Sequence, residues 1–217
     1  MPARLRPTSS VAAEAILVGD PGRALMLAQE LLEQPKMCNH ARGLWGYSGR
    51  TPAGRELTVQ STGMGGPSAA VVLGDLAELG VRRAIRVGTC TALRPELALG
   101  QLVSVAEAHA WSGGGAGAAI APDPSLAATL AARLGTEARP ATVASLDTLH
   151  GGGDPPPVRA GDVADMQTAS LFVKAPVLRV ALAAVLIVAE DAWGAALDEE
   201  GAGRAAARAG AAAAAAL

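Results

Sequence analysis

The chain predicts an α/β fold with parallel strands in a sheet covered on both faces, and three observations carry that expectation. Leu57 to Leu93, LTVQSTGMGGPSAAVVLGDLAELGVRRAIRVGTCTAL, reads as strand, glycine turn, helix, strand and glycine turn, which is one βαβ unit. A second strand, glycine turn and helix runs from Ala15 to Leu32. Half of the 217 residues are apolar, enough for one sizeable core, so residues 1–217 are expected to form a single domain.

In chain order, residues 1–14 read as a polar N-terminal arm. Ala15-Ile16-Leu17-Val18 is a buried type of strand that stops at Gly19-Asp20-Pro21-Gly22-Arg23. A helix follows from about Ala24 to Leu32, with Leu25, Ala28, Leu31 and Leu32 facing inward. Arg23 beside the amides of a helix N-terminus would make an anion site. The same residues also fit an ordinary Asp-Pro-Gly turn with a solvated arginine. Residues 42–60 predict a β-hairpin, with Trp45 and Tyr47 in one strand, Thr51-Pro52-Ala53-Gly54 as the turn, and Leu57 and Val59 in the return.

Within the βαβ unit, Leu57 to Thr62 is rich in β-branched residues and is bounded by Gly63. Pro67 suits a first helical turn, where its missing N–H has no partner to lose. Apolar residues at 69, 72, 73, 76 and 79 keep helical spacing, and Gly80 fits just past the end. Ala84 to Val87 forms the second strand, stopped by Gly88. Arg86 therefore falls in a strand buried on both faces, where a guanidinium is costly unless something negative meets it. Either an internal carboxylate pairs with it, or a ligand anion binds at Gly88 and Thr89, at the carboxyl end of the strand. Gly63-Met64-Gly65-Gly66 is no dinucleotide fingerprint, because position 68 is Ser, and no Lys-Ser/Thr follows to make a phosphate loop.

Beyond Gly100, residues 101–111 predict a strand, 112–119 a mobile Gly/Ala-rich stretch, 124–134 an amphipathic helix and 141–145 a strand. Residues 151–157, GGGDPPP, predict a surface loop. A helix over 163–174 and a strand within 178–189 follow, with Glu190-Asp191 at that strand's carboxyl end. The alanine-rich tail, residues 201–217, predicts a frayed terminal helix without chemistry.

A formal charge of −2 offers nothing to a nucleic-acid partner. Cys38 and Cys90 lack metal-ligand spacing, so neither a disulfide framework nor a bound metal is expected, and a reducing cytoplasm is the simplest setting. The N-terminus lacks a signal-peptide core, and the apolar run 180–189 is too short to cross a bilayer. His40 and His109 read as structural or solvated, and Cys90 as a packing residue.

Four motifs in order, Gly19-Asp20-Pro21-x-Arg23, Arg42-Gly43-x-x-Gly46-Tyr47-x-Gly49, Gly63-Met64-Gly65-x-Pro67-Ser68 and Arg86-Val87-Gly88-Thr89-Cys90, make the chain resemble the nucleoside phosphorylase family of hexameric bacterial purine nucleoside phosphorylases and uridine phosphorylases. Ser145-x-Asp147-Thr148 and Asp165-Met166-Gln167-Thr168-Ala169 match more weakly. The resemblance implies a phosphorylase/hydrolase-like fold, with a mixed, largely parallel sheet and a partly closed barrel flanked by helices. It implies that Gly19, Arg23, Arg86 and Thr89 bind phosphate, with Arg42 reaching in from a neighbouring subunit. The protein is then at least a dimer, with a hexamer expected. Met64, Met166 and Gln167 would hold the ribose, and Cys90, Thr91, Leu149, His150 and the backbone around Asp165 would line the base pocket.

The implied reaction is phosphorolysis of a nucleoside to base and ribose 1-phosphate, with inorganic phosphate as co-substrate and no cofactor. Arginine-held phosphate attacks C1′ and stabilises the cation-like sugar, while a carboxylic acid protonates the leaving purine. Glu190 or Asp191 takes that place, with Asp191 favoured. The family carries Glu at position 167, and Gln167 forgoes a charged hydrogen bond worth about 1.5–3 kcal/mol, or roughly ten- to a hundredfold in rate. Thr91 replaces a usual glycine, and Leu149 a usual aromatic. No Gln-x-Arg pair occurs within 151–159, which favours purine over uridine. Retention of Arg23, Arg42 and Arg86 argues against a water-using nucleosidase. A uridine phosphorylase, or a homologue that binds nucleoside or phosphate with little turnover, is the alternative.

Overall fold

In the computed structural model, residues 4–112, 115–147 and 161–217 are described. The elements in order are β1 (Glu14–Val18), α1 (Pro21–Leu31), β2 (Glu33–Asn39), β3 (Gly46–Arg50), β4 (Glu56–Ser61), α2 (Gly66–Glu78), β5 (Arg83–Ala92), β6 (Leu102–Ser112), β7 (Gly115–Ala116), α3 (Pro124–Leu134), β8 (Ala138–Ser145), β9 (Val163–Asp165), α4 (Thr168–Val177), β10 (Ala181–Glu190) and α5 (Glu199–Ala216).

The βαβ unit β4–α2–β5 forms as expected, but β1 lies between its two strands and is parallel to both. On its other edge β5 pairs with β10 in parallel. From there the ladder runs β10–β6, β6–β8, β8–β9 and back to β5, mixing parallel and antiparallel pairs. Five strands thus close into a ring, while β1, β4, β3 and β2 extend from it as an open wing. This is the mixed sheet with a partly closed barrel.

One edge of β5 serves two partners. Pairing with β1 ends at Leu17 opposite Arg86, and pairing with β9 starts only at Thr91. Between those points Val87 to Cys90 have neither strand beside them on that edge. The sheet splits there, and a crevice opens at the carboxyl ends of β1 and β4, the place where α/β sheets hold ligands.

Two layers cover the sheet. Leu73 and Leu76 of α2 and Leu171 and Phe172 of α4 pack on one face. Leu27 of α1, Leu130 of α3 and Ala205, Ala209 and Ala213 of α5 pack on the other. The tail is therefore a docked helix and not a frayed one. Its small residues let it approach α1 so closely that a Cβ at Gly210 would stand 2.6 Å from Leu27 Cδ2. Arg83 also donates to the last carbonyls, Leu217 at 2.6 Å and Ala216 at 3.0 Å, which satisfies groups a helix end leaves open.

Other expectations are corrected by the same logic of partners. The N-terminal arm is tied down from residue 4: the amides of Arg4 and Leu5 donate to Asp75 Oδ2 at 2.7 and 2.8 Å, and Leu5 is buried. The predicted helix over 163–174 begins only at Thr168, because Val163 to Asp165 are taken by the barrel as β9. Within the stretch 112–119, Gly115–Ala116 form β7, paired antiparallel with β6. β2 was not legible as a strand: it lies at the sheet edge, is mostly exposed and is interrupted at Gln34-Pro35, with Gln34 at φ 46°. The hairpin of β3 and β4 forms as predicted, with Tyr47 opposite Val59. The loop 151–157 lies outside the described residues.

Candidate functional site

The crevice holds a cavity of about 510 Å³ built from three glycine- or helix-start segments. Gly19, Asp20 and Arg23 come from the β1–α1 turn, Gly63, Met64 and Gly65 from the β4–α2 turn, and Asp165, Met166 and Gln167 from the β9–α4 turn. Arg86, Gly88 and Thr89 of β5 form its floor. The N-termini of α1, α2 and α4 thus converge on one space. Asp20 caps α1 by accepting the Arg23 amide at 2.7 Å. Gly65 caps α2 with no side-chain bond, which leaves first-turn N–H groups available to an anion. Gly63 at φ +71° and Gly65 at φ +80° need their glycines to make this turn.

Arg86 meets an internal carboxylate and also lines the cavity. It is 4 % exposed and forms an ion pair with Asp165, Nη2 to Oδ2 at 3.0 Å. Its Nε donates to Thr168 Oγ1 at 3.1 Å and its Nη1 to Gln167 Oε1 at 2.5 Å. A guanidinium has five N–H donors, so Nη1 and Nη2 each keep one for a ligand in the cavity. Asp165 in turn accepts from Ser145 Oγ at 2.5 Å, Thr168 Oγ1 at 2.6 Å and the Thr168 amide at 3.1 Å. A buried ion pair with its remaining lone pairs filled is the condition under which such a pair holds.

Arg23 stands across the cavity. Burial pushes its pKa below the ordinary arginine value, and the Arg86 charge acts in the same direction while Asp20 opposes. Two guanidiniums that disfavour each other and face one cavity are relieved by an anion placed between them.

The remaining predicted residues fall in different places. Glu190 ends β10, and a bulge at Ala189 shifts the register so that Glu190 stands opposite Thr91. Thr91 Oγ1 lies 3.4 Å from Glu190 Oε2. Asp191 turns away into its own loop, where Oδ1 accepts the amides of Trp193 at 2.9 Å and Ala195 at 2.8 Å. Cys90 is buried and its Sγ donates to the Ile187 carbonyl at 3.4 Å. Burial, reinforced by the Asp165 charge and opposed by Arg86, pushes its thiol well above the usual range, so it is no thiolate nucleophile. Met64 lies at the cavity rim, 85 % exposed. Arg42 is exposed at φ 60° and does not line the cavity. Leu149 and His150 lie outside the described residues.

Sequence reasoning missed the supports behind Arg86: Thr168, Ser145 and the Asp165 carboxylate. The signal was present. Asp165 followed three residues later by Thr168 is a strand-end acid before a helix start, a pattern that the expected helix over 163–174 overrides. A larger hollow of about 700 Å³ lies between the arm and β2–β3. Its charges compensate, Arg50 pairing with Glu56 at 2.9 Å, and it lacks convergent helix termini.

Both cysteines are unpaired and buried. Iodoacetamide is therefore expected to leave native protein unlabelled over hours and to label both thiols after denaturation, as read by intact mass. Among the described residues no group of three or more His, Cys, Asp and Glu could hold a metal ion, and no helix is long and apolar enough to cross a membrane.

Known proteins resemble the chain in sequence and in fold. The chain is 42% identical over 88 residues to a DeoD-type purine nucleoside phosphorylase of Oceanobacillus iheyensis, covering 40% of this chain and 37% of the relative. It is 39% identical over 94 residues to the DeoD-type enzyme of Caldanaerobacter subterraneus subsp. tengcongensis, covering 43% and 40%. The matched stretches thus span about two fifths of those relatives. The whole fold superposes on purine nucleoside phosphorylase from Toxoplasma gondii, solved with immucillin-H, at TM-score 0.82 and 23% identity, covering 95% of this chain and 91% of that one. Uridine phosphorylase from Vibrio fischeri ES114 superposes equally well, at TM-score 0.82 and 21% identity, covering 95% and 92%. The family model described as the Phosphorylase superfamily matches residues 14–217, from the first residue of β1 to the last of the chain, and the chain belongs to that superfamily.

Proposed function

We propose that the protein is a nucleoside phosphorylase that cleaves a purine nucleoside with inorganic phosphate, releasing the free base and ribose 1-phosphate. The observation that carries this is the cavity where Arg23, Arg86, Thr89 and three helix N-termini face one space, with Glu190 and Thr91 at the upper end of the same strand pair. Phosphate between the two guanidiniums is oriented for attack on C1′ and offsets the positive charge that develops on the sugar. Met64 and Met166 form the apolar side on which the ribose rests. The names of the relatives favour purine over uridine.

Glu190 is the better proton donor to the departing base. Asp191 spends one carboxylate oxygen on its own loop, whereas Glu190 faces Thr91 near the end of β5. Glu190→Gln is expected to lower kcat on inosine by about 10²-fold or more, while Asp191→Asn, which keeps an accepting oxygen, stays within about threefold. Steady-state base release from the two variants distinguishes them.

The reaction itself is tested by base release from inosine, adenosine, 5′-methylthioadenosine and uridine, each with and without millimolar phosphate. Phosphate-dependent release from a purine nucleoside supports the proposal. Release without phosphate assigns a nucleosidase, and binding without release assigns a binding protein. Arg42 is exposed and outside the cavity of its own chain, which suits a residue lent to a second copy. Light scattering is expected to show at least a dimer; a fully active monomer overturns that part. The proposed setting is the cytoplasm.

A further inference from the structure

The loop from β2 to β3 carries Arg42 at its tip, and the backbone there is strained. The Leu44 amide donates to the Ala41 carbonyl at 3.1 Å, closing a tight turn with Arg42 (φ 60°, ψ 20°) and Gly43 (φ 72°) both left-handed at its centre. That is the pattern of a type I′ turn, which favours Asn, Asp and Gly at both positions. Nothing in the turn itself needs an arginine. The Arg42 side chain is exposed and outside the cavity of its own chain, so no contact there offsets the strain.

Two buried amides hold the turn in this form. Asn39, the last residue of β2, and Gln60 of β4 are each 1 % exposed. Asn39 Nδ2 donates to the Leu44 carbonyl, and its Oδ1 accepts the Arg6 amide at 2.8 Å, which ties the loop to the N-terminal arm. Gln60 Nε2 donates to the carbonyls of Leu44 at 3.0 Å, Trp45 at 3.3 Å and Ser61 at 2.9 Å. Gly46, the cross-strand partner of Gln60, makes room for that amide, because a Cβ there would overlap Gln60 Oε1. Neither side chain lines the cavity.

We infer that Asn39 and Gln60 are positioning residues for phosphate binding in a second copy: they hold the left-handed turn that presents Arg42. The inference rests on the reading, made above, that Arg42 is lent to a second copy. An arginine on a free loop loses backbone and side-chain freedom when it meets an anion, whereas a turn fixed beforehand leaves only the side chain to order.

The test uses the full chain with inosine and inorganic phosphate. The phosphate KM is measured at saturating inosine, and the inosine KM at saturating phosphate, in the wild type, Arg42→Ala, Gln60→Met, Asn39→Ala and Arg42→Ala/Gln60→Met. Arg42→Ala is expected to raise the phosphate KM by about tenfold or more, through loss of a charged hydrogen bond. Gln60→Met, which keeps the stem but no donor, is expected to raise it by about three- to tenfold, with the inosine KM within about twofold. Without Arg42 there is nothing to position, so Gln60→Met adds less than about twofold in the Arg42→Ala background. Asn39→Ala is expected to act as Gln60→Met does and decides the matter where that variant does not fold, as judged by thermal melts. Co-expression of Arg42→Ala with Arg86→Ala, which supplies an intact Arg42, is expected to restore sites with the wild-type phosphate KM. A wild-type phosphate KM in the folded amide variants, or a Gln60→Met effect that persists in full without Arg42, overturns the inference while the lending of Arg42 stands. A wild-type phosphate KM in Arg42→Ala, or no recovery on co-expression, overturns both, and a wild type without phosphate-dependent release overturns the phosphorolysis proposal as well.

Discussion

Arg86→Ala is expected to abolish phosphate-dependent base release, by about 10³-fold, and to destabilise the protein by roughly 3–5 kcal/mol. The two losses have separate causes. Activity falls because, in the proposed reaction, the floor of the cavity loses the two remaining guanidinium donors that would hold phosphate. Stability falls because Asp165, buried and bonded to Ser145 and Thr168, keeps its charge without the cation that offset it. For a chain of this size that corresponds to a fall in Tm of roughly 6–20 °C. The double variant Arg86→Ala/Asp165→Asn separates the two: it removes the stranded charge and is expected to recover most of the Tm with none of the activity. A double variant as unstable as the single one would show that Asp165 is not the source of the cost. Arg86→Lys is expected to fall between, since an ammonium keeps the charge and lacks the fork that reaches Asp165, Gln167 and Thr168 together.

Gly88→Ala is expected to have the second largest effect, although it adds a single methyl group. A Cβ at this position would stand 2.6 Å from Arg86 Nη2, 2.7 Å from its Cζ and 2.9 Å from Leu186 Cδ2. Gly88 carries no positive φ, so the glycine is required here by space and not by backbone conformation. The guanidinium cannot move aside without leaving Asp165, so the cost falls on phosphate binding as much as on packing. A loss of about 10²-fold in kcat/KM for phosphate and 1–3 kcal/mol in stability is expected. Phosphate titration together with a thermal melt measures both, and wild-type phosphate affinity in a folded Gly88→Ala would remove Arg86 from the ligand's shell.

How much was legible in the sequence follows from how local each signal is. The β4–α2–β5 unit was readable because glycine turns, a helix-starting proline and helical spacing all act within a few residues. The turn after β1 and the strand carrying Arg86 were readable for the same reason. The buried cation announced itself by its position in an apolar strand, since the price of desolvating it demands a partner somewhere. Which partner could not be read. Asp165 lies 79 positions further along the chain, in a segment that resembles helix interior until the barrel claims Val163 to Asp165 as a strand.

By itself, then, the sequence determined the α/β class, the glycine turns and the presence of an arginine that must meet negative charge. Tertiary structure alone decided that β1 is inserted between β4 and β5, and that β1 and β9 share one edge of β5 and leave a gap between them. It also decided that Arg86 has both an internal carboxylate and a cavity to face. It turned Asp191 into its own loop and set Glu190 beside Thr91, through a bulge that no local pattern encodes. The physical reason is common to all of these. Propensity and periodicity act between neighbours in sequence, whereas strand order, register and the satisfaction of buried charge are settled between residues that meet only when the sheet closes.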